Sequence, residues 1–228
     1  MIIGGFQKLS LLDYPGKTSV IIFTQGCNYK CDYCQNSNLI KFTKKSVVLE
    51  EEILDYLKKR QKLIDGVVIS GGEPTMQPKL LEFMKKIKEK GFLIKLDTNG
   101  SNPTVIEKII QSNLVDYIAM DIKSSFDYYD NITKVKTNTD NIKESIKLIQ
   151  NSNIDHEFRT TIIKNIHDID KIIKICKYLG KDEKIYLQNF EISENVPDKK
   201  LQSFNKDELN NIQKIINNKF PNVIIRGL

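Results

Sequence analysis

Short apolar, β-branched runs alternate with segments of helical periodicity from residue 18 onwards. Runs of about four to eight such residues are typical of strands buried on both faces. The predicted strands span residues 18–24, 66–70, 92–97, 115–121, 156–163, 184–188 and 222–225. The predicted helices lie near residues 49–63, 78–90, 103–112, 139–151, 167–179 and 206–219. This alternation predicts a parallel sheet with right-handed crossovers, as either a doubly wound sheet or a partial barrel.

Polar stretches directly follow the first four predicted strands. They are TQGC at 24–27, SGGEP at 70–74, DTNG at 97–100 and DIK at 121–123. In α/β folds, active sites lie at the carboxyl ends of the parallel strands. We therefore expect the four stretches to meet at one rim of the sheet and to form a site there.

Length and composition are those of an ordinary globular protein. The chain has 228 residues, of which 40% are hydrophobic and 28% are charged, and such a chain folds without disulfide bonds. No apolar run approaches the roughly 20 residues that a membrane-spanning helix needs, and the start of the chain lacks the features of a signal peptide. We therefore expect a cytoplasmic protein without a membrane partner, in which clustered thiols stay reduced and bind metal or do chemistry.

The charge pattern does not favour nucleic-acid binding. The net charge of +6 arises from 35 Lys and Arg against 29 Asp and Glu, and only Arg60, Arg159 and Arg226 are arginines. Nucleic-acid readers rely on arginine forks with interleaved aromatic residues. Here the lysines mostly alternate with acidic residues, as in KKIKEKG at 85–91, which indicates a solvated surface.

Three of the four cysteines, Cys27, Cys31 and Cys34, are clustered in the stretch TQGCNYKCDYC. Offsets of four and three residues would place them on one face of a buried helix. However, Gly26 and several polar neighbours surround them, which argues against a buried helix. The cluster is therefore better explained by metal binding.

A zinc site is one interpretation of the cluster. Zinc prefers four ligands at paired spacings. The remaining cysteine, Cys176, shares a predicted helix face with isoleucine and leucine, and His156 and His167 are distant and show no paired spacing. We therefore expect Cys176 to be a small core residue, and zinc is left without a fourth ligand.

An iron–sulfur cluster is the other interpretation. A [4Fe–4S] cubane normally takes four cysteine thiolates. Three thiolates would leave one iron open, just as catalytic zinc sites keep one position free for the substrate. On this interpretation the missing fourth cysteine is a requirement of the chemistry.

The pattern Cys-x3-Cys-x2-Cys, with Tyr33 before its last cysteine and SGGEP after the next strand, resembles the signature of the radical S-adenosylmethionine (SAM) superfamily. The resemblance implies a partial (β/α)6-type TIM barrel, with residues 1–228 as one core domain and residues 24–36 as the cluster loop. It also implies that Cys27, Cys31 and Cys34 hold a [4Fe–4S] cluster whose open iron chelates SAM. One-electron reduction then cleaves SAM and yields a 5′-deoxyadenosyl radical, so the chemistry belongs to the cofactors.

Within the superfamily, the sequence is similar to the activating enzymes of glycyl radical enzymes. The stretch LSLLDYPGKTSVIIFTQGCNYKCDYCQN, together with DTNG, DIK and the closing IIRG, extends the similarity over most of the chain. It looks closest to the activase of anaerobic ribonucleoside-triphosphate reductase, with the pyruvate formate-lyase activating enzyme as a relative. The resemblance implies a glycyl radical enzyme as partner and flavodoxin or ferredoxin as electron donor.

The resemblance also implies the residues that contact the cofactors. Gly71, Gly72 and Glu73 would contact the amino group of the methionine moiety, and glycine there lets backbone approach a ligand closely. Tyr33 and Phe190 would pack against adenine, since flat rings offer a stacking surface, although Phe190 alone could equally be a core residue.

Charged residues at the ends of later strands complete the implied site. Asp97, Thr98 and Asp121 resemble a monovalent-cation and SAM-carboxylate site, for which hard oxygen ligands are suited. Lys123 would add positive charge nearby. Arg159 alternates with apolar neighbours, so it should point into the barrel, where an arginine needs a ligand or a carboxylate partner.

Asp13 in DYPG matches the position where activases meet the peptide that carries the target glycine. Pyruvate formate-lyase activators have Gly-Pro-Gly after this aspartate, whereas here Tyr14 stands in place of the first glycine. Asp13 could also be an ordinary turn aspartate.

Two other functions remain open from the sequence. One is a radical SAM enzyme that acts on a small molecule, such as a deazaguanine synthase. The other is a non-catalytic zinc-binding interaction module. Hydrogen-atom abstraction requires no side-chain base, and this agrees with the presence of only two histidines.

Overall fold

The structure is a computed structural model that describes residues 1–43 and 45–227. One sheet contains the strands β1 (Ile3–Ser10), β2 (Ser19–Thr24), β3 (Gly66–Gly71), β4 (Leu93–Thr98), β5 (Tyr117–Asp121), β6 (Asp155–Ile162), β7 (Ile185–Asn189) and β8 (Val223–Arg226). The helices are α1 (Glu50–Lys58), α2 (Leu80–Lys88), α3 (Pro103–Gln111), α4 (Tyr129–Thr133), α5 (Thr139–Gln150), α6 (Ile169–Leu179) and α7 (Lys206–Asn217).

The eight strands follow one another in the sheet in their order along the chain, from β1 at one edge to β8 at the other. Strands β2 to β8 pair in parallel, and each crossover between them carries at least one helix. Strands β2 to β7 with their following helices make six βα units, which confirms the expected single α/β domain of the partial (β/α)6-barrel type. The parallel arrangement brings the carboxyl ends of all these strands to one rim.

Strand β1 and helix α4 were not predicted. Strand β1 pairs antiparallel with β2 and precedes the alternating part of the chain. Its sequence, IGGFQKLS, has two glycines and three polar residues and no apolar run, because an edge strand need not be buried on both faces. Helix α4 is too short to show a helical period: it has only five residues, and Lys134, which follows it, has a φ of 58°.

Two apolar layers enclose the sheet. The outer layer packs the strands against the helices and includes Ile69, which is fully buried, and Cys176, which lies on the buried face of α6 as predicted. A smaller inner layer consists of Tyr14, Ile21, Val68, Tyr117 and Ala119. The inner layer fills the barrel below the carboxyl ends of the strands and leaves the upper part of the interior to polar side chains. Among the described helices, none combines the length and the apolar character needed to cross a membrane.

Replacement of Ile69 by alanine tests the outer layer. Ile69 is 0% exposed, and the lost burial and the remaining cavity should lower the free energy of unfolding by about 2–5 kcal/mol. Leu63→Ala is the control, because Leu63 is 70% exposed and its loss should change stability by no more than about 0.5 kcal/mol. Urea unfolding measures both, and equal losses in the two variants would contradict this packing.

Candidate functional site

A cavity of about 360 Å³ lies at the carboxyl ends of the parallel strands. Every residue that the sequence predicts for the site lines it: Asp13, Cys27, Cys31, Tyr33, Cys34, Gly71, Gly72, Glu73, Asp97, Thr98, Asp121, Lys123, Arg159 and Phe190. These residues come from segments that span positions 13 to 190 of the chain. The polar stretches after the strands thus meet at one rim, as expected.

The three clustered thiols belong to a loop that backbone hydrogen bonds fix in place. The N–H of Gly26 donates to the carbonyl of Leu39 at 2.7 Å, and the N–H of Cys27 donates to that of Ile40 at 3.0 Å. Burial raises the pKa of the Cys27 thiol to about 12 and that of Cys31 to about 11. These thiols are therefore protonated at neutral pH, and a metal would displace their protons on binding.

Two glycines bring β3 close to this loop. Gly71 has a φ of +112°, and a Cβ there would lie 2.3 Å from the backbone nitrogen of Thr24. At Gly72 a Cβ would lie 2.2 Å from the carbonyl oxygen of Gly26. From the sequence, the close approach of a ligand explains these two glycines. The structure gives a second reason, because the backbone at the end of β3 packs directly against the backbone of the cysteine loop.

The carboxylate of Glu73 connects the ends of β3 and β4. It is 1% exposed and accepts hydrogen bonds from Thr75 N and Thr75 Oγ1 (3.1 and 2.6 Å), from Thr98 Oγ1 (2.7 Å) and from Asn99 N (2.7 Å). Burial outweighs these hydrogen bonds and raises the pKa of Glu73. Glu73 and Thr98, which the sequence predicted as separate contacts, thus form one hydrogen-bonded unit with Asn99.

A buried group of charges lies on the later strands. Arg159 Nε donates to Asp121 Oδ1 at 2.8 Å, and Arg159 Nη1 lies 3.4 Å from Asp97 Oδ1. Lys123 Nζ donates to Asp121 Oδ2 at 3.2 Å. Burial opposes ionisation of Asp121, but the charges of Arg159 and Lys123 outweigh burial and lower its pKa to about 2. Arg159 thus points into the barrel and has carboxylate partners, as its position in the strand indicated.

His167 supports Lys123 and was not predicted to belong to the site. Its Nδ1 accepts a hydrogen bond from Ile163 N (3.2 Å), so Nε2 carries the proton and donates to the carbonyl of Lys123 at 3.0 Å. Burial lowers the pKa of His167 to about 4, so the ring is neutral at physiological pH. The sequence contains no spacing signal for this contact, because it joins residues 44 positions apart.

The aromatic residues and Asp13 lie at other parts of the cavity wall. Tyr33 and Phe190 are both buried and both line the cavity, so their rings offer flat surface to a ligand. Asp13 lies in the loop between β1 and β2, and its carboxylate accepts a hydrogen bond from Ser10 Oγ. Tyr14, which follows Asp13, packs in the inner apolar layer near Tyr117.

The cavity has the features of a site for a polar ligand and for an iron–sulfur cluster. Two buried atoms on its wall, Tyr29 Oη and Asp97 Oδ1, have no hydrogen-bond partner among the described residues, and a polar ligand would supply one. No three His, Cys, Asp or Glu side chains of the described residues are spaced to hold a single metal ion. The thiolates of a cubane bind different irons and so stand further apart than the ligands of one ion.

The sequence matches the model of the Radical SAM superfamily over residues 21–178. This match covers more than half of the chain and includes all the predicted cofactor residues except Phe190. The chain therefore belongs to the radical SAM superfamily. Members of this superfamily use a [4Fe–4S] cluster and S-adenosylmethionine, and the three thiols at one cavity agree with this use.

Two similar proteins indicate the subgroup of the superfamily to which the chain belongs. The chain is 38% identical over its whole length to MJ1227 of Methanocaldococcus jannaschii, which is named as a candidate glycyl-radical enzyme activating enzyme and is covered to 96%. It is 31% identical to the pyruvate formate-lyase-activating enzyme of Clostridium pasteurianum, with 81% of this chain and 80% of that protein covered. Within the superfamily, the chain belongs to the glycyl-radical enzyme activating enzymes.

A solved structure shares the fold. A radical SAM methyltransferase from Sphaerobacter thermophilus superimposes with a TM-score of 0.75 over 96% of this chain and 68% of that chain, at 15% sequence identity. At this identity the likeness concerns the fold only. It agrees with the partial barrel described above.

Replacement of Gly72 by alanine tests the packing between β3 and the cysteine loop. The new Cβ would lie 2.2 Å from the carbonyl oxygen of Gly26, so backbone must move and the free energy of unfolding should fall by about 1–3 kcal/mol. Gly5→Ala is the matched control, because its nearest neighbour, a side-chain atom of Phe23, lies at 3.4 Å. Urea unfolding compares the two variants, and a Gly72→Ala protein as stable as Gly5→Ala would show that the contact is absent.

Proposed function

We propose that this protein generates a glycyl radical on a partner enzyme. The observation that carries the proposal is the convergence of three thiols and the SGGEP, DTNG and DIK segments on one cavity. The names of the similar curated proteins support this class of substrate. The protein substrate is then a backbone glycine of the partner, whose Cα–H bond is weak because the flanking amides delocalise the resulting radical.

In this proposal Cys27, Cys31 and Cys34 hold the [4Fe–4S] cluster and leave one iron for SAM. When bound, the cluster and SAM would supply a 5′-deoxyadenosyl radical and release methionine by one-electron reductive cleavage, with the electron from a reduced flavodoxin or ferredoxin. Transfer of the glycine Hα to this radical would leave 5′-deoxyadenosine and the glycyl radical, so no proton acceptor on the protein is needed. The side chains of the cavity therefore bind and orient the cofactors and the substrate glycine, and they shield the radical from water.

The ends of β3 and β4 would hold the methionine moiety. Gly71, Gly72 and Glu73 face its amino group in our proposal, and the Glu73 carboxylate fixes Thr98 through a hydrogen bond of 2.7 Å. The rings of Tyr33 and Phe190 would pack against adenine, for which buried, flat apolar surface is suited.

The charges on β4 to β6 would hold the carboxylate of SAM. Lys123 and Arg159 supply positive charge, and both already pair with Asp121. Asp97, Thr98 and Asp121 would bind a monovalent cation, and Asp97 Oδ1, which accepts no hydrogen bond from the described residues, would be one of its oxygen ligands. Both arrangements would neutralise the carboxylate of SAM with groups that the fold already holds in place.

The partner that we propose is anaerobic ribonucleoside-triphosphate reductase, with Asp13 at the entry of its glycine-bearing peptide. The sequence DYPGK supports this choice, because a tyrosine that is buried in the inner layer follows Asp13 where pyruvate formate-lyase activators have glycine. Pyruvate formate-lyase is the second candidate, since similar proteins carry the name of its activating enzyme.

Electron paramagnetic resonance (EPR) distinguishes the candidates. The reconstituted, reduced enzyme with SAM should produce a glycyl-radical doublet on the anaerobic reductase, and a weaker signal or none on pyruvate formate-lyase. A doublet on pyruvate formate-lyase alone would reverse the choice of partner. Formation of 5′-deoxyadenosine with a small molecule but with neither protein would contradict the proposed function.

Single cysteine variants test the three-ligand assignment. Cys27→Ala, Cys31→Ala and Cys34→Ala should each lose the cluster on anaerobic reconstitution, measured as iron per chain and as brown absorbance. Cys176→Ala is the control, because Cys176 is fully buried on α6 away from the cavity and should cost only packing energy, about 1 kcal/mol. Iron loss in Cys176→Ala equal to that in the other variants would refute the assignment.

A further inference from the structure

Lys95 is a buried lysine to which the proposed reaction assigns no role. It lies on β4 two residues before Asp97, so both side chains point to the inside of the barrel. Its side chain is 4% exposed, and it lies below the cavity without lining it. A buried ammonium group is costly unless partners surround it, and burial indeed lowers the pKa of Lys95.

The ammonium group of Lys95 connects three separate segments. Its Nζ donates to the carbonyl oxygen of Asp13 at 2.6 Å. It also lies 3.9 Å from Asp97 Oδ1 and 3.8 Å from Glu157 Oε1. Lys95 therefore joins the loop between β1 and β2 to the carboxyl end of β4 and to β6.

Glu157 is held independently of Lys95, so it is a fixed point for the ammonium group. The hydroxyl of Tyr117 donates to Glu157 Oε2 at 3.0 Å, and Arg226 Nη2 lies at the same distance from that oxygen. The guanidinium of Arg226 in turn stacks on the ring of Tyr186 at 3.7 Å. These contacts hold Glu157 and Arg226 in place below the cavity, on the side of the barrel formed by β5 to β8.

Apart from the ring of Tyr14, which is buried in the inner apolar layer, the loop that carries Asp13 has few attachments to the barrel. Leu11 and Leu12 are 69% and 93% exposed. Within the loop, Ser10 Oγ accepts the N–H groups of Leu12 and Asp13, both at 3.2 Å, and donates to the Asp13 carboxylate. These bonds are local, whereas the bond from Lys95 ties the loop to the strand that bears Asp97.

We propose that Lys95 is a positioning residue that fixes the loop at residues 11–17 relative to the SAM side of the cavity. The inference rests on the proposed function, because Asp13 is the proposed contact to the substrate peptide. Hydrogen-atom transfer requires the glycine Cα and the accepting carbon within near-contact distance. A loose loop would let SAM cleavage proceed without transfer from the glycine.

Lys95→Met tests the proposal, because methionine keeps the volume of the stem and removes the charge and the donor. In the protein without cofactors, amide hydrogen exchange of residues 11–17 should become about tenfold faster. In the loaded enzyme, the yield of 5′-deoxyadenosine per glycyl radical should rise about tenfold. The SAM concentration that half-saturates the change in the cluster EPR signal should change by less than about threefold.

Lys88→Met is the matched control. Lys88 is also paired with a carboxylate, because its Nζ lies 2.7 and 2.8 Å from the two oxygens of Asp116. Asp116 in turn accepts a hydrogen bond from the N–H of Ile94, which lies on β4 next to Lys95. Among the described residues, the ammonium group of Lys88 has Asp116 as its partner and forms no hydrogen bond or ion pair with residues 11–17. This variant should lose stability without a change in exchange at residues 11–17 or in the yield ratio.

The proposal would be overturned if the amides of residues 11–17 exchanged at the same rate in Lys95→Met as in the wild type. An unchanged yield of 5′-deoxyadenosine per glycyl radical would overturn it as well. If Lys95→Met does not fold, Lys95→Met/Glu157→Gln removes the pair of charges together and allows the same measurements. Absence of a glycyl radical with the wild-type protein would refute the proposed function instead. The exchange measurement would then still decide whether Lys95 fixes the loop.

Discussion

The buried carboxylate of Glu73 joins the segments on which the site depends. Its oxygens accept four hydrogen bonds, which tie the start of the turn at Thr75 to Thr98 and Asn99 at the end of β4. Its own N–H donates to the carbonyl of Gly26 at 2.8 Å, so the same residue also holds the cysteine loop. A carboxylate removed from water requires such partners, and meeting that requirement fixes two strand ends and the loop relative to each other.

A second consequence of burial is that the charged part of the cavity is preorganised. The inward-facing charged side chains of β4 to β8 are Lys95, Asp97, Asp121, Lys123, Glu157, Arg159 and Arg226, four cations and three carboxylates joined by contacts of 2.8–3.9 Å. Lys123 and Arg159, the two cations of the group that line the cavity, are therefore held in position before any anionic ligand binds.

The sequence predicted the parts of the molecule that repeat a local pattern. Strand and helix periodicity located β2 to β8, and the polar residues after the strands located the cavity, because both signals lie within a few neighbouring positions. It did not predict β1, which has no apolar run, or the partners of the buried charges. Lys95 contacts Asp13 and Glu157, which are 82 and 62 positions away, and His167 contacts Lys123 across 44. Such contacts depend on the register of the sheet.

The elements that the sequence predicted form the cofactor side of the cavity, and the strand that it did not predict, β1, lies on the side of Asp13. The proposed cofactor residues lie on the alternating βα units, where the strand ends alone bring them together. Asp13 instead lies between β2 and the antiparallel β1, outside that repeat, and the hydrogen bond from Lys95 ties it to the cofactor side. With Asp13 in its proposed role, the substrate side of the cavity is built separately from the cofactor side. On that proposal, a change of partner would need a new loop and a new anchor for it, but no change at Glu73 or the thiols.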